Sequence, residues 1–472
     1  MRALCSRCWK EVPALPEQFA EYLKTAGEQI RWKRARASLL AELRTHLLDQ
    51  RDACLEAGME EDAAQAEALR QMGDPVMVGA ELDLVHRPRP QWGLLVLTMA
   101  LALAGGFLRV WLTAGLRYEA IQPGRTVLCL ALGTAALLGG YFLDISFLGR
   151  HARGIYIAAL AAGLLSLWLS PLRNYASYHN RYIVLCYPVV YAVWIYAWRD
   201  RGWKGLLASI AGGVPLVCIG LLTPYLLGVA MLLGSGFLLL LVAAWQDWFG
   251  TGRRASLLVT AGTAVALAAW AVWLVAVPGY GANRLLMCLH PELDPLGSGY
   301  QAITVRAALS GALWLGEGSM GGMFAGCRYE DVVPESGRDF LLTTMICKLG
   351  WLPFLVLMLV FAALVAWLLV RCLRQKNQLG RLVSAAVVLT LSAQAVSSIV
   401  LNLGVVLTSV SFPLVGGNLH SVLDMALIGL ALSVFRQEQL PWEPDNAVLP
   451  PEHRPFISWR DGDLVIALGR RG

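Results

Sequence analysis

Charge is what this sequence has least of. Only 15% of its 472 residues are Asp, Glu, Lys or Arg, against about 25% in an ordinary soluble domain. Hydrophobic residues make up 57%, and mean hydropathy is +0.55. Together these exclude a soluble globular chain and a disordered one. The net charge of +6 is modest, and basic residues in so apolar a chain set membrane orientation, so no nucleic-acid partner is expected. A leading apolar run is also missing. The residues ahead of Pro90 are polar and charged, so no cleavable signal peptide is expected and the first spanning helix must serve as the insertion signal. Cysteines number ten, but metal-ligand spacing is lacking. Cys5 and Cys8 form one C-x-x-C without a second pair, and a zinc site takes about four ligands. Cys129, Cys186, Cys218, Cys347 and Cys372 lie in or beside apolar segments and read as small core residues. Cys288 and Cys327 share one long loop, in which they either pair or stay free.

What is present is a succession of apolar segments. A span needs about 20 apolar residues, and after Arg87-Pro88-Arg89-Pro90 the chain offers 92–115, 126–149, 154–171, 182–198, 205–222, 225–248, 256–278, 340–371, 381–406 and 419–436. The expected fold is all-α: a polytopic membrane protein of about ten transmembrane helices. A large loop, 279–338, separates helices 7 and 8; a connection of that length is usually functional or holds elements of its own. The positive-inside rule places both termini in the cytoplasm and this loop outside the cell membrane. In that orientation the inner loops hold Arg150, Arg153, Arg199, Arg201, Lys204, Arg253, Arg254, Arg371, Arg374, Lys376 and Arg381. The outer ones hold Arg117, Arg125, Arg173 and Arg181.

The division is then 1–86, a cytosolic helical domain; 92–436, the transmembrane domain; and 437–472, a loosely ordered cytoplasmic tail. In the first, Phe19, Leu23, Ile30, Leu39, Leu40, Leu43 and Leu47 recur at helical spacing. Gly58 ends one helix, Met59-Glu60-Glu61-Asp62 starts another with acids in its first turn, and Gly73-Asp74-Pro75 breaks it. The pattern EYLKTAG…LLAELRTHLLD…AGMEEDAAQAEALRQMGDP resembles the prefix domain found ahead of some bacterial permeases and membrane regulators.

The stretch VPESGRDFLLTTMICKLGWLP, Val333 to Pro353, sets Asp339 where the long loop meets an apolar helix. A carboxylate at a membrane boundary is costly unless used or paired. On its own it also reads as an acid in the first turn of a helix, favoured by the macrodipole. Asp339, Thr343 and Gly350 would share one stripe of that helix, with Lys348 on roughly the opposite face. His420 and Asp424, four apart on the last helix, share a face and either satisfy each other or line a site. Asn402 reads as a helix-packing hydrogen bonder. Asp144 sits at an inner helix end, whereas Arg109, Arg284, Asp339, His420 and Asp424 all fall toward the outer leaflet, which favours an outward-facing polar site.

From Thr223 onward four stretches resemble the FtsW/RodA/SpoVE family, the SEDS proteins of bacterial shape, elongation, division and sporulation. They are Thr223-Pro224-Tyr225-Leu226-Leu227-Gly228-Val229-Ala230; Arg284 followed by HPELDPLGSGYQ, His290 to Gln301; Pro334-Glu335 with Asp339-Phe340 and Leu349-Gly350; and Asn402-Leu403-Gly404 with SFPLVGG, Ser411 to Gly417. Ten spans and a large loop between the seventh and eighth fit the same family. The sequence departs from the family pattern at several points. Cys347-Lys348 stands where the family has Glu-Glu, Arg338 where it has Thr, and Tyr225-Leu226 where it has an acid after proline. The glycine motif lacks the family's Ser-Tyr pair.

The resemblance implies a glycosyltransferase of peptidoglycan synthesis that polymerises lipid II, the undecaprenyl-linked precursor, on the outer membrane face. It implies that Asp339 is the catalytic acid or base, that Arg284 meets the donor diphosphate, and that Glu335 and Gln301 shape the substrate site; Arg338, peculiar to this chain, is a second candidate for the diphosphate. It implies a divalent cation, Mg2+ or Mn2+, as the one cofactor. The partners it implies are lipid II, membrane lipid and a class B penicillin-binding transpeptidase. Two other readings go with it: a non-catalytic homologue that scaffolds a transpeptidase, and a transporter of the lipid-linked precursor.

Overall fold

A computed structural model of the chain describes residues 16–86, 90–114, 123–169, 172–173, 176–177, 180–223, 226–276, 280–333, 336–406, 410–415, 418–437, 457–460 and 463–466. By contacts the chain divides into two units, residues 1–88 with 439–472, and residues 89–438.

Among its described residues the first unit contains four helices, α1 (Glu17–Gln29), α2 (Lys33–Glu56), α3 (Glu61–Met72) and α4 (Pro75–His86). Phe19, Tyr22, Ala26, Leu43, Leu47 and Ala68 form its core. Gly58 and Gly73 lie between helices at φ of 88° and 82°, a conformation that glycine adopts without steric cost. The expected periodicity therefore lands on the buried face, with Phe19, Ile30, Leu39, Leu43 and Leu47 all buried. Cys5 and Cys8 lie outside the described residues. In the tail, β3 (Ile457–Arg460) pairs antiparallel with β4 (Asp463–Ile466). The sequence between these strands, Asp461-Gly462, is a strong hairpin signal, and the expectation of a loosely ordered tail overlooked it.

The second unit is a helical membrane domain. Its helices are α5 (Trp92–Thr113), α6 (Pro123–Phe142), α7 (Ile145–Arg150), α8 (Ala152–Leu169), α9 (Asn180–Ala197), α10 (Gly202–Leu222), α11 (Leu226–Trp245) and α12 (Arg253–Ala276), then α13 to α16 around the long loop. The last three are α17 (Trp351–Leu373), α18 (Gln378–Asn402) and α19 (Leu419–Arg436). A two-residue pair, β1 (Leu172–Arg173) with β2 (Ala176–Ser177), precedes α9. Among the described residues eight helices are long and apolar enough to cross a membrane, namely α5, α6, α8, α10, α11, α17, α18 and α19. Helices α9 and α12, of 18 and 24 residues, stand at the two remaining expected spans. The chain is a multi-pass membrane protein.

Lipid tails are as apolar as leucine, so membrane helices associate through close packing and small residues. The pair α6 and α19 illustrates this. A Cβ on Gly429 would collide with the Leu137 carbonyl oxygen, and one on Gly140 would lie 2.9 Å from that of Ala426. Polar side chains tie the next layer: Trp194 Nε1 of α9 donates to Ala208 O of α10 at 2.9 Å, and Tyr191 OH donates to Ser209 O at 3.1 Å.

The long loop holds elements of its own, α13 (Tyr280–Leu289), α14 (Tyr300–Ser310) and α15 (Tyr329–Val332), with two short 3-10 turns. No disulfide joins Cys288 and Cys327; the first is buried and the second exposed. The eighth expected span, 340–371, is corrected: it breaks at Gly350 into α16 (Leu341–Leu349) and α17. Gly350 has φ of 98°, and a Cβ there would sit 2.5 Å from Trp314 O. A break leaves helix-end N–H and C=O groups unpaired, which an apolar surrounding does not tolerate. The loop segment 313–318 satisfies them. Gly316 N and Gly318 N donate to Leu349 O and Cys347 O at 2.9 and 2.8 Å. Trp351 N and Leu352 N donate to Leu313 O and Trp314 O at 3.0 and 3.1 Å. The loop thereby pairs with the junction of α16 and α17.

Candidate active site

Asp339 is not in the first turn of a long helix, as the sequence led us to expect. It lies in the turn 336–340 that runs into α16, and the proposed Asp339–Thr343–Gly350 stripe does not exist as one helical face. The turn is buried: Ser336, Asp339 and Phe340 are 4%, 9% and 2% exposed. Its backbone is held from several helices. Arg109 Nε of α5 donates to Gly337 O at 3.1 Å. Asn402 Nδ2, at the end of α18, donates to Asp339 O at 2.9 Å. Thr344 Oγ1 donates to Ser336 O at 2.6 Å, and the Tyr329 hydroxyl joins Thr344 Oγ1 at 2.6 Å. Asn402 also accepts from Thr343 N at 2.8 Å and Thr343 Oγ1 at 2.9 Å. Such a site is over-determined, and a buried carboxyl gains orientation from it.

The Asp339 carboxyl meets the segment 410–415, which connects α18 to α19. Ser411 Oγ donates to Asp339 Oδ1 at 3.4 Å, and Asn418 Nδ2, the N-cap residue of α19, donates to Ser411 Oγ at 3.1 Å. Beside the turn Phe340 packs with Val305, Ala308, Met320, Val333, Cys347 and Leu401, so loop and membrane helices share one core there.

The other expected site residues are placed unevenly. Arg338 is in the same turn and exposed. Gln301 is half-buried in the first turn of α14, its carbonyl accepting from Thr304. Arg284 is on α13, with its side chain outside the described residues, and Glu335, Pro224 and Tyr225 also lie outside them. Sequence reasoning grouped Arg109 with the outward-facing polar residues without giving it a role, and it left Ser411 out of the site. Arg109 was visible by depth along its helix, and Ser411 stands inside the SFPLVGG motif, but neither signal says that it reaches the Asp339 turn. His420 and Asp424 do not satisfy each other. The His420 ring stands 4.7 Å from that of Tyr182, while Asp424 accepts from Gln394 Nε2 at 3.2 Å and Leu414 N at 3.3 Å.

Lys348, standing where the family pattern has an acid, donates from Nζ to Leu112 O at 3.0 Å. That carbonyl is one of the last of α5, so the ammonium caps the negative end of the helix. Cys347 beside it is buried at 6%.

A bundle of this topology, with an acid-bearing turn seated where a long loop enters the membrane domain, defines a polytopic membrane protein with one loop-side polar site. The family profile described as "Cell cycle protein", FtsW/RodA/SpoVE, matches residues 94–440, and the chain belongs to that family. It is 28% identical over 287 residues to a probable peptidoglycan glycosyltransferase FtsW of Xanthomonas oryzae pv. oryzae, covering 57% of this chain and 56% of the relative. It is 27% identical over 172 residues to the peptidoglycan glycosyltransferase MrdB of Escherichia coli K12, covering 36% and 45%. These two curated relatives are thus spanned over about half their length. A third, a probable FtsW of Halorhodospira halophila, is 26% identical over 349 residues, covering 72% and 78%. A solved structure titled "Structural coordination of polymerization and crosslinking by a peptidoglycan synthase complex" shares the fold, with TM-score 0.56 and 22% identity over 74% of this chain and 98% of that one.

Proposed function

We propose that this protein is a peptidoglycan glycosyltransferase that polymerises lipid II on the outer face of the cytoplasmic membrane. The observation that carries the reading is the Asp339 turn, locked by Arg109, Asn402 and Thr344 and met by Ser411. Asp339 acts as general base: it takes the proton of the acceptor sugar hydroxyl as that oxygen bonds to the donor's anomeric carbon. The bond from that carbon to the undecaprenyl diphosphate breaks, and the diphosphate leaves with the electron pair. Cationic side chains lower the cost of that charge; Arg338 beside Asp339, and Arg284 on α13, are the candidates. Glu335 and Gln301 shape the substrate site from the loop.

Among the described residues no three His, Cys, Asp or Glu side chains converge on one point. The donors near Asp339 suit only a hard cation that takes one protein carboxylate and completes its shell with water and phosphate oxygens. Mg2+ or Mn2+ would be held there by Asp339, and when bound it supplies charge for the leaving diphosphate. The termini are cytoplasmic and the loop is outside in this reading, supported by the loop arginines. A class B penicillin-binding transpeptidase is its protein partner, and lipid surrounds it.

The test is turnover of labelled lipid II by the purified full chain beside Asp339→Asn. A general base is worth about 100- to 10,000-fold, so the variant should lose at least the lower figure while keeping its melting temperature. A variant as active as the parent would rule out Asp339 as the base. The second reading, a scaffolding homologue without turnover, is favoured by Lys348, a base where the family pattern has an acid, whose Nζ donates to Leu112 O.

A further inference from the structure

We propose that Asp424 is a positioning residue: its carboxyl group fixes the kinked segment 410–415 and so delivers Ser411 to Asp339. The catalytic side of this inference rests on the function proposed above; the structural side does not.

Leu414 has φ of 64°. A leucine pays sterically for this left-handed backbone and keeps it only where the surroundings over-determine it. What holds it is the hydrogen bond from Leu414 N to Asp424 Oδ2 at 3.3 Å, on α19 ten residues onward. The Leu414 side chain is fully buried, Val415 N donates to Pro413 O at 2.8 Å, and α5 leaves room for the kink with Gly105, where a Cβ would meet Val415 Cα at 2.5 Å. Three residues before the kink stands Ser411, whose hydroxyl reaches Asp339.

Asp424 is itself anchored. It is 1% exposed, and Gln394 Nε2 of α18 donates to its Oδ1 at 3.2 Å. Its two partners are both neutral, and no Lys, Arg or His of the described residues forms an ion pair with it. A carboxyl buried among helices without a countercharge adds nothing to stability by its charge. What it does supply is two acceptor atoms in fixed places.

Gln394 and Asn402 are eight residues apart, on one face of α18. Asn402 holds the Asp339 backbone, and Gln394 holds the residue that sets the opposite wall. One helix thus fixes both sides of the Asp339–Ser411 contact. The path closes on itself: Asp339, Asn402, α18, Gln394, Asp424, Leu414, Ser411 and back to Asp339.

The experiment compares Asp424→Asn, Asp424→Leu and Gln394→Met in the purified full chain. Asparagine retains an oxygen for Leu414 N and, with the Gln394 carboxamide turned over, a hydrogen bond to α18. Hydrogen–deuterium exchange over 410–415 is read first, because it needs no turnover. Exchange in Asp424→Asn should match the parent, and in Asp424→Leu it should rise at least tenfold at Leu414. Gln394→Met should shift exchange in the same direction by less, and it serves alone if the leucine variant does not fold. In lipid II turnover, Asp424→Leu should lower kcat at least tenfold with KM within about twofold, and Asp424→Asn should rescue it. Adding Ser411→Ala to Asp424→Leu should cost nothing further, since both act through one contact. Unchanged exchange in Asp424→Leu and Gln394→Met, or an asparagine variant as damaged as the leucine one, would overturn the proposal. Raised exchange in a chain with no turnover would uphold the positioning and sink only the enzymatic reading.

Discussion

Asn402 uses one carboxamide to hold two adjacent elements: it accepts from Thr343 N and donates to Asp339 O. It is 1% exposed, so water cannot replace what a substitution removes. Asn402→Ala should cost about 1–3 kcal/mol for each buried group left unpaired, seen as a lower melting temperature in detergent. Because the Asp339 turn loosens at the same time, turnover should fall too; a variant of unchanged stability would contradict this role. At this scale the sequence was only partly legible. Asp339 stood out because an acid beside an apolar run is rare, and Asn402 could be named as a packing hydrogen bonder. That Asn402 bonds Asp339, 63 positions away, depends on how α18 is placed, which spacing along one chain does not encode. Lys348 is a further case: it read only as a base where the family pattern has an acid, and that its Nζ donates to Leu112 O at the end of α5 was not legible.

Among the elements, hydropathy located the long described helices of the membrane domain, because an apolar surrounding demands an unbroken set of internal hydrogen bonds over a fixed length. It did not locate the break at Gly350. Both α16 and α17 are apolar, so no composition change marks the break, and the backbone partners come from 313–318 in a loop that reads as unremarkable. Gly350→Ala combines a forbidden φ with a Cβ 2.5 Å from Trp314 O; it should cost more than about 1 kcal/mol and increase proteolysis of the long loop. The α6–α19 contact predicts a second effect. Gly429→Leu should prevent close approach to Leu137 and Gly140 and lower the yield of folded protein, whereas Gly124→Leu, with open space around its Cβ position, should not. Equal yields would contradict the close-packing role. The Asp461-Gly462 hairpin in the tail was readable and missed, since attention to long apolar runs passes over short polar strands.

For the whole molecule, the ten spans expected from the sequence would put both termini on one side and the loop between α12 and α16 on the other. With both termini cytoplasmic, as proposed, a membrane-impermeant thiol reagent on intact cells should label Cys327, which is exposed. A single cysteine introduced at Arg374, in the turn between α17 and α18, should react only after lysis. The reverse pattern would invert the orientation and take Asp339 away from the outer face, where the proposed substrate lies. Fold class followed from composition because the membrane restricts the choices so severely. Function did not, since it depends on a turn and a connecting segment drawn together by the bundle. The most direct measurement is glycan polymer formed from labelled lipid II by the purified full chain with Mg2+ or Mn2+, alone and with a co-purified class B transpeptidase. Polymer that appears with the parent and vanishes with Asp339→Ala is expected; its absence under every condition, from protein shown to be folded, would contradict the glycosyltransferase assignment.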